Sequence, residues 1–217
     1  RTPGILLSPA DGRLMFVERE RAVGRRPSAA ELTSGAVESD PHTGDWTTTP
    51  LPEPLSFATE QRYESVPTGE ESPTDVWRAA VFMSPLDVHV NRAPEAGELE
   101  RIELRRGKGR RRGPFVPAMR KESEWNERVR SVFALEDGTR MEVTQIAGAL
   151  ARSIVPYLFV GQPVRRGQRI GMIRLGSRVD LRVPAYRYIP AECIPASAKH
   201  PDHQNGEQVL AGRTILF

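Results

Sequence analysis

Gly176 and Ser177 are the residues whose types and spacing first suggest chemistry. A serine hydroxyl becomes a nucleophile when a base removes its proton, and a preceding glycine allows a tight backbone turn. Gly171 and Gly176 bracket the apolar pair Met172 and Ile173. The pattern predicts a strand that runs into a tight turn, with an exposed hydroxyl at its corner. A Gly-Ser dipeptide alone is an ordinary turn, so any chemistry depends on the rest of the chain.

His89 is the candidate base in a second part of the sequence. Between residues 86 and 92, the apolar residues Leu86, Val88 and Val90 alternate with Asp, His and Asn. Alternation of this kind is typical of a strand that is buried on one face. It predicts that His89 lies on the polar face and points into a solvent-accessible cleft.

Metal and disulfide chemistry find little support in the sequence. His200 and His203 form an H-x-x-H pattern in a loop rich in Pro, Asp and Asn, without Cys or a further His nearby. The pattern favours a solvated loop over a zinc site, and we expect no metal. Cys193 is the single cysteine, which excludes an intrachain disulfide and suits a reducing compartment.

Charge is distributed unevenly along the chain. The 217 residues carry a formal net charge of +3, yet residues 29–75 hold ten acidic residues against the single Arg62. Residues 101–130 hold eleven basic and four acidic residues, including the basic run at 108–112. Such a patch attracts phosphate on a nucleic acid or a lipid surface, and a solvated basic hairpin loop is the alternative. The sequence contains no run of eighteen apolar residues, so it predicts no transmembrane helix.

Short strands separated by glycines predict a mainly β fold. Five runs carry this prediction, at residues 13–17, 75–83, 98–104, 129–135 and 140–146. Asp137 and Gly138 separate the last two runs and are a strong hairpin signal. Residues 147–155 are predicted to form a short helix. We expect a single domain over residues 1–217, a β-sandwich or barrel with minor helix.

Residues 24–75 differ in character from the rest of the chain. Pro, Thr, Ser, Gly and Glu dominate, apolar residues are few, and no period is sustained. These features predict a long polar surface insertion that is partly disordered. A lid over a binding site is the second interpretation of this segment.

Five segments, in this order, resemble the phosphatidylserine decarboxylase family. They are S-P-A-D-G at residues 8–12, residues 82–94, residues 126–128, Q-I-A-G at residues 145–148, and I-R-L-G-S-R-V-D at residues 173–180. Each segment is common by itself, whereas the ordered set is specific. The resemblance covers nearly the whole chain except residues 24–75. It is strongest to the short branch that includes archaetidylserine decarboxylases.

The resemblance implies a proenzyme that cuts itself between Gly176 and Ser177. The Ser177 hydroxyl attacks the Gly176 carbonyl, nearby donors stabilise the oxyanion, and the amide becomes an ester. β-Elimination and loss of ammonia then convert residue 177 into a pyruvoyl group, the only cofactor expected. The products are a large chain, 1–176, and a small chain, 177–217.

The family pattern also implies a triad of Asp11, His89 and Ser177. By the general logic of such triads, His89 removes the hydroxyl proton and Asp11 orients the imidazole. Many members of the family have a second histidine three positions after the first, where this chain has Arg92. The departure leaves His89 to serve both self-cleavage and later proton transfer, and which role dominates is open.

The resemblance further implies the reaction of the mature enzyme. A substrate amine forms a Schiff base with the pyruvoyl ketone, and the conjugated carbonyl accepts the electron pair released as carbon dioxide leaves. His89 is expected to protonate the resulting carbanion. The implied reaction converts phosphatidylserine into phosphatidylethanolamine, a step of phospholipid biosynthesis. An ether-linked archaetidylserine is the alternative substrate.

The implied partner is a phospholipid in an anionic membrane, with the enzyme peripheral on the cytoplasmic face of the cytoplasmic membrane. The basic residues expected to face this surface are Arg105, Arg106, Lys108, Arg110, Arg111 and Arg112. Phe115, Met119 and Trp125 would dip toward the acyl boundary, and the protein core is the alternative place for Phe115 and Trp125. A homodimer is a further expectation.

Two other classes of function compete with the enzyme hypothesis. Units of the form G-x-x-V-x-x-G at 161–167 and 206–212 are faintly similar to biotinyl or lipoyl hybrid motifs of non-enzymatic binding proteins. A carrier presents a lysine at a hairpin tip, but residues 161–217 contain only Lys199, in a Pro-rich loop. Nucleic-acid binding is disfavoured because the arginine run lacks interleaved aromatic residues and a recognisable module.

Overall fold

Strands dominate the structure. The computed structural model describes residues 4–27, 29–35, 55, 60–66, 71–105, 126–148, 153–174, 176–191 and 206–217. The strands are β1 Gly12–Arg25, β2 Gln61–Ser65, β3 Asp75–Met83, β4 Val90–Arg92, β5 Gly97–Arg105, β6 Arg128–Leu135, β7 Arg140–Ala147, β8 Ile154–Pro156, β9 Pro163–Val164, β10 Arg169–Ile173, β11 Ser177–Pro184 and β12 Gln208–Val209. Within these ranges the one helix is α1, Ala29–Thr33. The prediction of a mainly β fold with minor helix is confirmed.

The strands form two antiparallel sheets around one core. The large sheet has the order β12-β1-β3-β11-β7-β6-β5-β9, with β2 paired to β1, and the small sheet has the order β4-β10-β8. Ile154, Ile170 and Ile173 of the small sheet share a buried apolar cluster with residues of the large sheet. The described strands close no barrel, so the arrangement is that of a β-sandwich.

Alternation along the central strands gives the large sheet two different faces. In β11, Val179, Leu181 and Val183 belong to the apolar core. Arg178 and Asp180 are equally buried but lie on the opposite face, because successive side chains of a strand point to opposite sides. The large sheet therefore has an apolar face and a charged face, and both are shielded from water.

The hairpin predicted at Asp137 and Gly138 joins β6 and β7. Gly138 has a φ of +80°, a left-handed conformation that glycine adopts without strain. The Leu135 N–H donates to the Thr139 carbonyl across the turn at 2.8 Å. The prediction of this hairpin is confirmed, and it places β7 beside β6, with the other edge of β7 paired to β11.

The central position of β11 decides where Ser177 lies. As the first residue of the strand, Ser177 pairs with Met83 at the end of β3 and with Ala147 at the end of β7. Its side chain points to the apolar face, like those of Val179 and Leu181. The end of β11 and the ends of its two neighbours thus meet at one edge of the core.

The helix predicted at residues 147–155 is wrong at both ends. Ala147 is the last residue of β7, and Ile154 begins β8. Both are buried, and the strand pairings of β7 with β11 and of β8 with β10 satisfy the backbone there. Residues 149–152 lie outside the described residues. Small apolar residues are compatible with a helix or a strand, and here pairing with neighbouring strands makes Ala147 and Ile154 parts of strands.

Part of the predicted polar insertion at 24–75 belongs to the sheet. β1 continues to Arg25, and β2 pairs with it through Tyr63 and its neighbours. Leu55 is buried as well. The sequence did not predict β2, because Gln, Arg, Glu and Ser dominate this short edge strand. The division of the chain into one domain with an insertion stays a prediction.

Candidate active site

A turn between β10 and β11 carries Gly176. β10 ends at Ile173 and β11 begins at Ser177, so the strand predicted before Gly176 is confirmed, and the tight turn stays a prediction because Leu175 lies outside the described residues. Gly176 has a φ of +62°, in the left-handed region that other L-residues adopt only at a cost. A Cβ on Gly176 would meet no atom within 4 Å, so the requirement for glycine is conformational and not steric.

Ser177 is fully buried, with an exposed fraction of 0%. The prediction of an exposed hydroxyl is wrong, because Ser177 is the first residue of a central strand and its side chain points into the core. Its Oγ has no hydrogen-bond partner among the described residues. Buried hydroxyls are rarely left unpartnered, since this costs about 1–3 kcal/mol, and the exceptions often have a chemical role.

His89 makes hydrogen bonds that define its protonation. Its Nε2 accepts the Gly176 N–H at 3.1 Å, so this nitrogen carries no proton and its lone pair is used in that hydrogen bond. Its Nδ1 lies 2.7 Å from the Asp87 carbonyl oxygen, which can only accept, so Nδ1 carries the proton. With this hydrogen-bond pattern His89 is a neutral imidazole, and its Nε2 faces the N–H of Gly176, in the peptide unit before the Gly176–Ser177 bond.

The segment around His89 differs from its predicted geometry. Leu86 and Val88 are 98% and 61% exposed, whereas Asn91 is fully buried. The predicted arrangement, with Leu86 and Val88 inside and the polar residues outside, is wrong. The cause is a turn at 84–87, in which the Asp87 carboxylate accepts the Ser84 N–H at 2.7 Å, so the strand begins only at Val90. His89 consequently points inward and is half-buried.

Asp11 lies at the same edge of the large sheet. Its neighbour Gly12 is so close to β3 that a Cβ there would be 2.1 Å from the Phe82 carbonyl oxygen. The Asp11 carboxylate accepts the Ala211 N–H at 3.1 Å. The hydrogen bond at His89 Nδ1 goes to the Asp87 carbonyl, so an orienting role of Asp11 stays a prediction.

Two buried amides connect β4, which follows His89, to β7 and β3, the two neighbours of the strand that carries Ser177. Gln145 of β7 donates from Nε2 to the Asn91 Oδ1 at 2.7 Å, and Asn91 donates to the Met83 sulfur at 3.5 Å. Gly171 leaves room for this pair, since a Cβ there would be 3.0 Å from Gln145 Nε2. The amides fix β4 against β7 and against the residue opposite Ser177. The sequence placed both residues in family segments but did not predict their contact.

A third buried amide closes the end of β7. Asn126 donates from Nδ2 to the Ala147 carbonyl at 2.8 Å, and the Ala147 N–H donates to the Glu127 carbonyl at 2.9 Å. Ala147 is the residue that pairs with Ser177 on this side. Asn126 thus fixes the backbone that borders the serine.

The charged face behind Ser177 has its own electrostatics. Arg178 and Arg78 both bind the Asp180 carboxylate, and their positive charge holds its pKa well below the ordinary value despite burial. Burial alone would raise the pKa of Glu20, but Arg182 and Arg78 lower it to about 2. These carboxylates are ionised at any physiological pH.

The described residues include no group of three or more His, Cys, Asp or Glu side chains arranged to hold a metal ion. Cys193, His200 and His203 lie outside these residues, as do residues 106–125 with the basic run and with Phe115, Met119 and Trp125. None of the helices found in the described part of the chain is long and apolar enough to cross a membrane.

Two groups of the site are of the kinds that self-cleavage at Gly176 would use. The His89 imidazole accepts the Gly176 N–H, and the next residue carries a buried hydroxyl without a partner among the described residues. A base next to Gly176 and a hydroxyl on the following residue are the groups that an attack of Oγ on the Gly176 carbonyl requires. The geometry thus brings together Gly176, Ser177 and His89.

Comparison with known proteins assigns the chain to a family. The sequence model described as phosphatidylserine decarboxylase matches residues 1–217. The chain belongs to the phosphatidylserine decarboxylase family. The recognition from the five sequence segments is therefore confirmed, and the alternative of a carrier-like binding protein is replaced. No solved structure gives a significant match.

Individual relatives support this assignment. A phosphatidylserine decarboxylase proenzyme of Thermobifida fusca is 48% identical over 139 residues, which are 64% of this chain and 55% of the relative. One of Streptomyces griseus is 56% identical over 107 residues, 49% of this chain and 46% of the relative. A Methanosarcina acetivorans protein provisionally named archaetidylserine decarboxylase proenzyme is 41% identical over 139 residues, 64% of this chain and 58% of the relative. The chain thus spans about half the length of these relatives.

Arg92 is the residue where this family member departs from the pattern with two histidines. Its Nη1 donates to the Gly167 carbonyl at 2.8 Å, in the loop before β10. Gly212 permits this position, since a Cβ there would lie 3.2 Å from the Arg92 side chain. The partner of Arg92 thus lies before the start of β10, whereas Gly176 follows the end of this strand. His89 is the imidazole that contacts Gly176.

Proposed function

We propose that this chain belongs to a phosphatidylserine decarboxylase proenzyme that cuts itself between Gly176 and Ser177. One observation carries the proposal. His89 Nε2 accepts the Gly176 N–H at 3.1 Å, and the next residue, Ser177, carries a buried hydroxyl that has no partner among the described residues. A structural serine in a core would be hydrogen-bonded, whereas a nucleophile awaiting its reaction need not be.

The proposed cleavage uses residues of this chain and one water. His89 Nε2 releases the Gly176 N–H and takes the Ser177 hydroxyl proton as Oγ bonds to the Gly176 carbonyl carbon. His89 then gives this proton to the Ser177 nitrogen as the Gly176–Ser177 C–N bond breaks, which leaves an ester and a free amine. Loss of the Ser177 Cα proton then expels the Gly176 carboxylate. The resulting enamine tautomerises to an imine, and water hydrolyses it to a ketone with release of ammonia.

The pyruvoyl group so formed would remain at position 177. Residue 177 is held by its pairing with Met83 and Ala147, so β3 and β7 would fix the group at the edge of the core. When present, it supplies a carbonyl that withdraws electrons from an amine substrate during decarboxylation, as pyridoxal phosphate does elsewhere. The buried Oγ of Ser177, unpartnered among the described residues, is the observation that fits this group.

His89 would keep a second task after the cut. It is half-buried and held by the Asp87 carbonyl, which fixes the ring with its Nε2 toward residue 176. A neutral imidazole in this orientation can deliver a proton to a carbanion at residue 177 once it has gained one. The apolar surroundings, which include Met83 and Ala147, would limit access of water.

The exposed side chains beside the site favour a lipid partner. Leu86 and Val88, at 98% and 61% exposed, precede His89 on the turn that leads into β4. Apolar side chains next to a catalytic base can enter the boundary of a bilayer while the head group approaches the base. We propose a phospholipid in an anionic membrane as the substrate, with the protein peripheral on the cytoplasmic face.

The central experiment follows the chain through cleavage and turnover. Purified protein should separate into two chains on denaturing electrophoresis, cut between residues 176 and 177, and the mass of the smaller chain should be that of an N-terminal pyruvoyl group. Carbon dioxide release is then measured with vesicles containing phosphatidylserine. Ser177→Ala should remain one chain and release none. A wild-type protein that stays intact would overturn the proposal.

The same assay distinguishes the two lipid classes and tests the membrane contact. Vesicles of ether-linked archaetidylserine replace the ester lipid, and the ratio of kcat/KM values assigns the preferred substrate. Replacing Leu86 and Val88 together with serine should raise KM on vesicles and leave self-cleavage unchanged. Ile189→Ser, a replacement of another exposed residue away from the turn, is the control. An equal rise of KM in both variants would contradict a membrane contact of Leu86 and Val88.

A further inference from the structure

The residue after Ser177 is buried on the charged face of the sheet. Arg178 donates from Nε and Nη2 to the two oxygens of Asp180, at 2.7 and 2.8 Å. Both side chains are almost completely shielded from water. This two-point ion pair joins the second and fourth residues after the proposed cut, on the face opposite the Ser177 hydroxyl.

Asp180 connects the pair to two further strands. Arg78 of β3 donates from Nη2 and Nε to the same carboxylate, at 2.6 and 3.0 Å. The other end of the Arg78 guanidinium donates to Glu20 of β1 at 2.7 Å. Arg78 and Arg178 also lie over the Phe16 ring, at 5.3 and 5.9 Å from its centroid. The first residues of β11 are therefore tied to β1 and β3 by buried charges.

A buried network of this kind fixes the register of a strand. A slip of β11 by one residue would place Arg178 and Asp180 in the apolar core, and a slip by two would separate Asp180 from Arg78. Either slip would leave charges without partners away from water, which is strongly disfavoured. The same slip would move Ser177 away from Met83 and Ala147, and hence away from His89. Register and reaction geometry are thus controlled by the same contacts.

The cut makes this control more important. Before cleavage the turn at Gly176 holds Ser177 from one side. Afterwards residue 177 is a chain end, held only by its ladder pairs and by the residues after it in the strand. Ends of strands separate readily unless side-chain contacts secure them. Arg178 is the nearest side chain that can do so.

We propose that Arg178 and Asp180 are positioning residues of the decarboxylase, which hold residue 177 in register for self-cleavage and afterwards for turnover. The proposal rests on the proposed function, because it assumes that cleavage takes place at residue 177. Neither residue contacts the reacting atoms. Both act through the backbone of β11, from the face of the sheet opposite the site.

Glu142 provides a matched control in the same network. It is buried, and it accepts hydrogen bonds from Arg182 at 2.9 Å and from Arg130 at 2.6 Å. It lies opposite Arg182 in the ladder, five residues along β11 from Ser177. Replacing it with glutamine also removes a buried charge that two arginines share, but at a distance from the cut. General loss of stability is therefore common to the control and the test variant.

The experiment measures cleavage after cell-free synthesis of wild type, Asp180→Asn, Arg178→Met and Glu142→Gln. Denaturing electrophoresis over time gives a rate constant and a final cleaved fraction for each protein. Unfolding lowers the final fraction, because chains that never fold never react, whereas misplacement of Ser177 lowers the rate constant. We expect rate constants at least about tenfold lower for Asp180→Asn and Arg178→Met, and within about threefold of wild type for Glu142→Gln.

Arg178→Lys keeps the experiment decisive if the stronger variants do not fold. Lysine retains the positive charge of arginine but cannot bind both oxygens of Asp180 in the same way. We therefore expect a rate constant between those of wild type and Arg178→Met, and a final cleaved fraction equal to that of wild type. Wild-type rate constants in the variants, or equal slowing in Glu142→Gln, would overturn the positioning role alone. A wild-type chain that is never cut would instead overturn the proposed function, and this inference with it.

Discussion

The two faces of β11 bury polar groups in opposite ways, on alternate residues of one strand. On the apolar face, Ser177 is buried with a hydroxyl that has no partner in the described structure. On the other face, Arg178 and Asp180 are buried with paired charges. A buried polar group without a partner lowers the stability of the fold. A buried charge lowers it little as long as its ion-pair partners are present, and much more when one of them is lost. The face of the proposed nucleophile is thus backed by a face that paired buried charges hold rigid.

The comparison predicts that the two faces respond differently to substitution. Changes at Ser177 and His89, on the apolar side, should alter the rate of cleavage with little effect on stability. Changes in the charged network away from Ser177 should alter stability with little effect on the rate constant. Stability is best compared in a His89→Ala background, where every variant stays one chain and unfolding can be treated as a single transition.

The largest expected effect comes from His89→Ala. Loss of the base should lower the rate constant of self-cleavage by about 10²–10⁴-fold, which is the range for general acid–base catalysis. The time course on denaturing gels measures it, and Glu98→Ala, a change of an exposed residue on β5, is the control. Cleavage within about tenfold of wild type would remove His89 from the mechanism.

Arg78→Met is the strongest test of the charged face. It leaves Asp180 without one of its two arginines and Glu20 without one of its partners, so we expect a loss of about 3–5 kcal/mol in the free energy of unfolding. Urea denaturation in the His89→Ala background measures it. Arg187→Met breaks an exposed ion pair with Asp137 and should cost about 1 kcal/mol or less. Similar losses in both variants would contradict the importance of burial.

Acid should weaken the same face. The pKa of Glu20 is about 2 in the folded chain against 4.5 as its ordinary value, and that of Asp180 is also lowered. A lowered pKa stabilises the fold fully above the unfolded value, and the stabilisation is lost as pH falls from about 4.5 toward 2. Glu20 alone contributes on the order of 3 kcal/mol at neutral pH. Urea denaturation at several pH values should show this loss, and Glu20→Gln should reduce the slope of the free energy of unfolding against pH. An unchanged slope in this variant would show that Glu20 does not cause the loss of stability in acid.

Asp11→Asn tests the remaining member of the predicted triad. Asparagine can still accept the Ala211 N–H, so the turn at residue 211 should be kept. If the Asp11 charge orients His89 during the reaction, cleavage should slow by about tenfold, or about 1.4 kcal/mol in the barrier. A rate equal to that of wild type would assign the orientation of His89 to the Asp87 carbonyl alone.

The smallest effect is expected from Ser177→Ala on stability. Removing a buried hydroxyl without a partner among the described residues should leave the free energy of unfolding unchanged or raise it by up to about 1 kcal/mol. Ser8→Ala is the matched control, because Ser8 is equally buried but donates to the Ala10 carbonyl at 2.8 Å. The control should lose about 1 kcal/mol. Both changes are measured in the His89→Ala background, and equal losses would mean that Ser177 has a partner in solution.

The sequence predicted the strands whose patterns are local. Residues 75–83 and 140–146 alternate or are continuously apolar, and they became β3 and β7 with nearly the same bounds. Residues 86–92 alternate equally well, but a turn closed by Asp87 reversed which side chains are exposed. Periodicity cannot reveal such a turn, because a single hydrogen bond decides it.

The site was located by its ordered segments and not by its geometry. The family segments placed Ser177, His89 and Asp11 together, but the Asp87 carbonyl as partner of His89 and the contact of Asn91 with Gln145 were missed. The charged face was missed as well, although charged residues recur at every second position from 178 to 182. Such alternation favours a solvated face, and only the pairing of distant strands shows that these charges meet one another.

The central place of β11 makes the proposed self-cleavage depend on complete folding of the chain. Gly176 and Ser177 adjoin His89 only after β3, β7 and β11 have paired and β4 has docked on β10. Phe217 also returns to Leu6, where the Leu6 N–H donates to its carbonyl at 2.7 Å. Under the proposed mechanism, a chain that cuts itself would already be folded, and its two pieces would be interleaved in the sheet when they become separate molecules. A misfolded copy would keep its serine and would not form the pyruvoyl group.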